Sequence, residues 1–203
     1  MKNLFYLLVF GLLVVSCAND SAAQNSGVKN AKNAPQTSPT PNAKNTLPKM
    51  ENPHLVVKKS ARTLELFDGE KLIKTYKIGL GFAPEGDKEK EGDGKTPEGD
   101  FYIFTKNPKS SFYLSLGLSY PNLEDAKRGL DAKLITKAEY DQIETAIKNK
   151  KMPPQKTKLG GEIYIHGNGS SKDWTWGCVA LENEDIKELF DALEIGVNVK
   201  IMP

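Results

Sequence analysis

Between positions 55 and 78 the apolar residues recur at the spacing of a pleated strand. Leu64 and Leu66 alternate with Thr63 and Glu65 in T-L-E-L-F, and Ile73, Tyr76 and Ile78 carry the pattern through L-I-K-T-Y-K-I-G. Alternation of this kind sends successive side chains to opposite faces, so one face can be buried while the other meets water. Asp68-Gly69 separates the two runs. Glycine tolerates the positive φ of a tight turn, which makes the pair a hairpin signal. With L-V-V-K-K-S in front, the segment is predicted to form a β-meander.

Residues 83–99, A-P-E-G-D-K-E-K-E-G-D-G-K-T-P-E-G, read as a solvated polar loop beside a cleft, and D-F-Y-I-F-T as the next strand. The acidic residues of that loop do not follow the spacing of a twelve-residue calcium loop. Helical character is confined to 122–158. Thr136-Lys137-Ala138-Glu139 is a capping-box sequence, with Ile135 and Tyr140 placed as a hydrophobic staple and Tyr140, Ile143 and Ile147 at helical spacing. A shorter helix is expected over 123–130, and Pro153-Pro154 ends the second one. After Gly160-Gly161 comes a strand E-I-Y-I-H, then a polar connection N-G-S-S-K-D expected to be mobile. Next stands Asn183-Glu184-Asp185, expected to cap a helix with the apolar stripe Ile186, Leu189, Phe190 and Leu193. Val197, Val199 and Ile201 mark a closing strand. The expected fold is mainly β, with a helical insertion and a C-terminal helix before the last strand.

The N-terminus has its own chemistry. Lys2 precedes an apolar run ending V-V-S-C, which reads as a secretory signal peptide over residues 1–16 rather than a membrane span. The cysteine directly after V-V-S resembles a bacterial lipobox, which would make Cys17 the lipidation site and the membrane anchor; the alternative is an ordinary signal peptide cut nearby. Residues 17–52, rich in Asn, Ala, Ser, Thr, Pro and Lys, hold too few large apolar groups to offset ordering entropy and are expected to be a disordered linker. The remaining 53–203 suits a single domain. A formal charge of +2 with both signs interleaved gives no nucleic-acid surface. The chain holds two histidines, too few for a His-based metal site, and shows no Gly-rich phosphate loop; no metal or cofactor is expected.

Export places the domain outside the cytoplasm, where cysteines are usually paired. With Cys17 acylated, Cys178 has no partner in the chain. A leftover thiol in an exported protein is an intermolecular bridge or a reactive group. His166 ends a strand twelve residues before Cys178, and Gly177 precedes the thiol. An imidazole within reach can take the thiol proton and hold an ion pair near neutral pH, and amides around Gly177 and Cys178 could serve a developing oxyanion. No acidic third member stands out. Trp174 and Trp176, flanking Thr175, read either as packing beneath the loop or as an aromatic wall against a sugar or peptide.

I-H-G-N-G, then T-W-G-C-V-A-L, preceded by T-P-E-G-D-F-Y-I at positions 96–103, resembles the L,D-transpeptidase catalytic domain (YkuD) family. The resemblance implies a β-sandwich or barrel-like domain over 53–203 with 122–158 as its helical insertion. It makes Cys178 the nucleophile and His166 the proton acceptor and donor. Thr175 and Gly177 would order the site and its oxyanion region, with Trp176, Trp174 and Gly167 as substrate-binding candidates. Trp176 stands where many members have a second histidine, and Ala180 where many have Arg or Asn. The implied partners are peptidoglycan stem peptides, met by a monomeric, membrane-anchored lipoprotein in the cell envelope. The implied reaction is transpeptidation through a thioester on tetrapeptide stems, in cell wall cross-linking or remodelling. The alternatives are an L,D-carboxypeptidase or endopeptidase acting on the same bond, or a non-catalytic wall-binding lipoprotein.

Overall fold

Eight strands form one sheet in the order β3-β2-β1-β8-β4-β5-β6-β7 in the computed structural model, which describes residues 47–203. The expected signal peptide, Cys17 and nearly all of the expected linker lie outside those residues. Strands β1 (Pro53–Lys58), β2 (Thr63–Asp68) and β3 (Lys71–Lys77) make the meander. Strand β8 (Asn198–Met202) runs parallel to β1 and lies between it and β4 (Gly99–Ser110). Strand β4 is long enough to pair with β8 at its start and with β5 (Tyr113–Leu118) along its second half. Strands β6 (Tyr164–His166) and β7 (Val179–Ala180) follow. The sheet then returns to its first edge: Gly79, just past β3, exchanges both backbone hydrogen bonds with Ala180 at 2.9 and 2.8 Å. The curled sheet thus satisfies the backbone groups of both edges at that point, as a closed sheet does.

Leu64 and Leu66 are fully buried while Thr63 and Glu65 are half-buried, so the alternation visible in the sequence does set which face looks inward. The turn is displaced by one residue from its expected place. Asp68 still pairs with Lys71, so the two-residue loop is Gly69-Glu70, with Gly69 at φ 56. The Asp68 carboxylate accepts the Glu51 and Asn52 amides at 3.0 and 2.6 Å, which ties the entering chain to the hairpin.

Helices α1 (Leu123–Asp131) and α2 (Lys137–Lys148) both start with reciprocal capping boxes, Asn122 with Asp125 and Thr136 with Glu139. They close on their own small core of Ala126, Ile135, Ile143 and Leu159. Helix α3 (Asn183–Ala192) packs Ile186 and Leu189 into the main core. Asn183 does not cap it. Glu182 holds the cap position without a side-chain bond, and Asn183 Oδ1 instead accepts the Asn168 amide at 2.9 Å. Among the described residues no helix is long and apolar enough to cross a membrane.

Candidate active site

Strands β6 and β7 are parallel neighbours, with Ile165 opposite Val179 and His166 opposite Ala180. Cys178 stands one residue before β7 and therefore beside β6. Its Sγ accepts the Tyr164 amide at 3.4 Å, and the thiol reaches the Glu162 carbonyl at 3.5 Å. His166 and Cys178 line the same cleft of about 410 Å³, with Phe112, Ser115 and Tyr164 on its walls. A second cleft of about 380 Å³, lined by Lys88, Glu91, Gln155 and Trp176, also reaches Cys178. The thiol borders both clefts.

The imidazole of His166 is buried between aromatic rings. Phe112 stacks on it at 4.6 Å between centroids, and Trp174 meets it edge-on at 5.5 Å. Its Nδ1 lies 2.7 Å from the Gly167 carbonyl. A carbonyl can only accept, so Nδ1 carries the proton and Nε2 is left as the basic nitrogen. The group that orients the imidazole is therefore a backbone oxygen. Burial lowers the imidazole pKa from its ordinary value, partly opposed by the Gly167 carbonyl. Burial likewise pushes the Cys178 thiol up to about 11, against the opposing Tyr164 amide and Lys88 charge. Both shifts favour thiol and neutral imidazole over an ion pair, because burial outweighs the opposing neighbours at each group.

Thr175 and Gly177 build the turn that presents the thiol. The buried Thr175 hydroxyl donates to the Cys178 carbonyl at 2.8 Å and accepts the Gly177 amide at 3.1 Å. The Gly177 amide, expected at the oxyanion, is thus occupied by Thr175. Gly177 itself adopts φ 126, and a Cβ there would stand 2.7 Å from the Lys95 carbonyl. Only glycine meets both demands.

The other candidates separate. Trp176 is 71% exposed at the second cleft, edge-on to Phe82 at 4.9 Å. Trp174 turns inward, donating its indole N–H to the Gly169 carbonyl at 3.1 Å and walling His166. Gly167 is buried, its amide on the Phe112 carbonyl, and a Cβ would meet Asn183 Oδ1 at 2.5 Å. Its carbonyl, rather than its surface, meets the imidazole. Phe112 and Tyr164 were not singled out from sequence. Phe112 follows a strand end with no motif of its own, and Tyr164 acts through its backbone.

Two loops are better anchored than their composition suggests. In the 168–173 connection, Asp173 pairs with Arg62 at 2.8 Å and accepts the Leu80 amide at 2.9 Å, while the buried Ser170 donates to Glu182. In the 83–99 loop, Lys88 and Thr96 are buried, and Asp93 accepts Lys88 Nζ and the amides of Glu89, Lys90 and Lys95. Many internal polar partners let these segments lie against the body with most of their buried donors and acceptors paired. Among the described residues, no group of three or more His, Cys, Asp or Glu side chains could hold a metal ion.

A curled, mainly β sheet that sets one thiol and one oriented imidazole in a common cleft defines a Cys/His cleft protein of the β class. The family model of the L,D-transpeptidase catalytic domain (YkuD) matches residues 52–201, and the chain belongs to that family. It is 28% identical over 164 residues to YafK of Escherichia coli strain K12, named as a candidate L,D-transpeptidase, covering 74% of this chain and 53% of that protein. Among solved structures, the helical cell shape determining protein Pgp2 from Campylobacter jejuni superimposes with a TM-score of 0.52 at 26% identity, over 77% of this chain and 50% of the other. The chain spans about half the length of the relatives it matches. The family acts on peptidoglycan stem peptides in the cell envelope.

Proposed function

We propose that the protein is a cysteine-dependent peptidoglycan L,D-transpeptidase that works through a thioester on tetrapeptide stems. The observation that carries this reading is one cleft lined by both Cys178 and an imidazole whose Nδ1 is held by the Gly167 carbonyl. Sγ attacks the carbonyl carbon of the third stem residue, and its proton passes to His166 Nε2. The tetrahedral oxyanion is met by amides of the turn that Thr175 leaves unoccupied, that of Cys178 first. Collapse breaks the amide bond. The departing amine of the terminal D-residue takes the proton from the imidazolium, leaving the acyl group on sulfur. An incoming amine, deprotonated by the same imidazole, then forms the cross-link as the C–S bond breaks, and the imidazolium returns the proton to Sγ. Water in its place gives the carboxypeptidase or endopeptidase outcome.

Neutral partners suit this sequence of steps, since proton transfer accompanies attack and no buried ion pair has to be held beforehand. Incubation of the full chain with defined tetrapeptide muropeptides should release the terminal D-residue and give either cross-linked or tripeptide products by mass. Cys178→Ala should give neither, and full turnover by that variant would sink the mechanism.

Residues 1–16 as signal peptide and Cys17 as lipidation site would anchor the domain to a membrane through the 17–52 linker, on the extracytoplasmic side. Cells fed a labelled fatty acid should label the wild-type chain and not Cys17→Ala; equal labelling would refute the anchor.

A further inference from the structure

The 83–99 loop is held by the buried Lys59 and contains a second buried lysine, Lys88, and the two differ in one respect. Lys59 Nζ donates to the Gly86 and Thr96 carbonyls at 2.5 and 2.9 Å and to Glu98 at 2.7 Å, which uses all three of its N–H groups. Lys88 Nζ donates to the Lys90 carbonyl at 3.0 Å and to Asp93 at 2.8 Å, and among the described residues it has no third acceptor. Both side chains are 3% exposed. Lys59 completes a structural clip. Lys88 lines the second cleft together with Cys178.

Lys88 is ion-paired with Asp93 at 2.8 Å. Its partner Asp93 shares its two oxygens among three backbone amides besides the ammonium. The Lys88 charge reaches Cys178, where it opposes the effect of burial on the thiol. The side chain is held at both ends. Arg128 of α1 donates to the Lys88 carbonyl at 2.7 Å while pairing with Asp87 and Asp125, and the lysine stem passes beneath Gly160, where a Cβ would lie 3.6 Å from Lys88 Cε. A buried ammonium with an unfilled donor is costly unless an anion completes it, and one fixed in place loses little entropy on binding.

We propose that Lys88 is a specificity-determining residue whose unfilled N–H binds a carboxylate of the stem peptide in the second cleft. This rests on the stem peptide being the substrate. The leaving amine must meet His166 Nε2, and His166 lines the first cleft, so the acyl residue and its side chain are left for the second. The expected source is therefore a side-chain carboxylate on the third residue; the other source is the C-terminal carboxylate of the stem.

Binding separates this inference from turnover. The full chain carrying Cys178→Ala is titrated calorimetrically with tetrapeptide stems bearing both carboxylates, the third-residue side-chain amide, or the C-terminal amide. Amidation at one position should weaken binding about 10- to 100-fold, the range for a hydrogen bond to a charged group, and Lys88→Met should level that difference. Which amide does so identifies the carboxylate. The Lys88 ammonium nitrogen resonance should shift with the acid stem and stay put with the matching amide, a readout that needs no substitution at Lys88. Equal affinity for all stems, no binding, or discrimination that survives Lys88→Met overturns the proposal. Discrimination in binding without turnover by the wild-type chain would instead leave Lys88 in place and sink the enzymatic reading.

Discussion

The Gly167 carbonyl accepts the Nδ1 proton of His166 at 2.7 Å, so the residue that follows the imidazole in the chain also decides which of its nitrogens is basic. A backbone oxygen cannot be titrated. The orientation it imposes is independent of pH, and the pH response of the site falls to the imidazole and the thiol.

Burial holds the His166 pKa below 6.5 and raises that of Cys178 to about 11. The competent pair, thiol with neutral imidazole, should therefore persist across neutral pH. We expect kcat/KM to lose activity in acid only below 6.5 and in alkali only toward about 11. An acid limb at or above 6.5 in the measured profile would contradict the neutral pair. The same shifts bear on stability. For His166 the unfolded chain binds the proton more tightly, so stability is complete above 6.5 and declines as pH falls through the folded value. For Cys178 the contribution is complete below 9.0 and is lost as pH rises through about 11. Tm measured against pH should decline at both extremes.

Phe112 is the exposed cover of the imidazole, stacked at 4.6 Å. Phe112→Ala should admit water to the ring and move its pKa upward, toward 6.5. The acid limb should move up with it, and an NMR titration of His166 reads the shift directly. An unchanged or lower value would mean that Phe112 is not what desolvates the ring.

Thr175→Val removes a buried hydroxyl that serves two backbone groups and leaves the Gly177 amide unpaired. The expected loss is about 1–3 kcal/mol by denaturant unfolding, with a fall in kcat as the thiol turn loosens. Thr175→Ser keeps the oxygen and should restore most of both. Equal damage from the two variants would point to the methyl group instead of the hydroxyl.

Lys59→Met strands Glu98 and two carbonyls that the ammonium satisfied. Removing one member of a buried pair costs about 3–5 kcal/mol, which urea unfolding would register. Because Lys59 has no free donor, its loss should leave discrimination between acid and amide stems intact, in contrast with Lys88.

Much of this architecture was legible in residue order. Alternation in β2, the Thr136–Glu139 capping box and the stripe on α3 all appear where local pattern placed them. Strand β5 was not anticipated, although Y-L-S-L-G-L alternates weakly: it is buried on both sides at its end, and burial on both faces erases the period of two. The one-residue displacement of the hairpin has a similar origin. Asp68 is retained in the ladder because its carboxylate also binds the chain arriving at Glu51 and Asn52.

By itself the sequence determined the class of most elements, the family, and the two residues on which the proposed chemistry depends, since Cβ direction and turn preference act over a few neighbours. The tertiary structure alone decided that β8 enters between β1 and β4 and that Gly79 closes the sheet onto Ala180. It also decided that Phe112 covers the imidazole, that the Gly177 amide belongs to Thr175, and that Lys88, unlike Lys59, lines a cleft and has only two acceptors among the described residues. Each of these depends on groups brought together from distant parts of the chain, where desolvation and hydrogen-bond satisfaction are set by packing and carry no local periodicity.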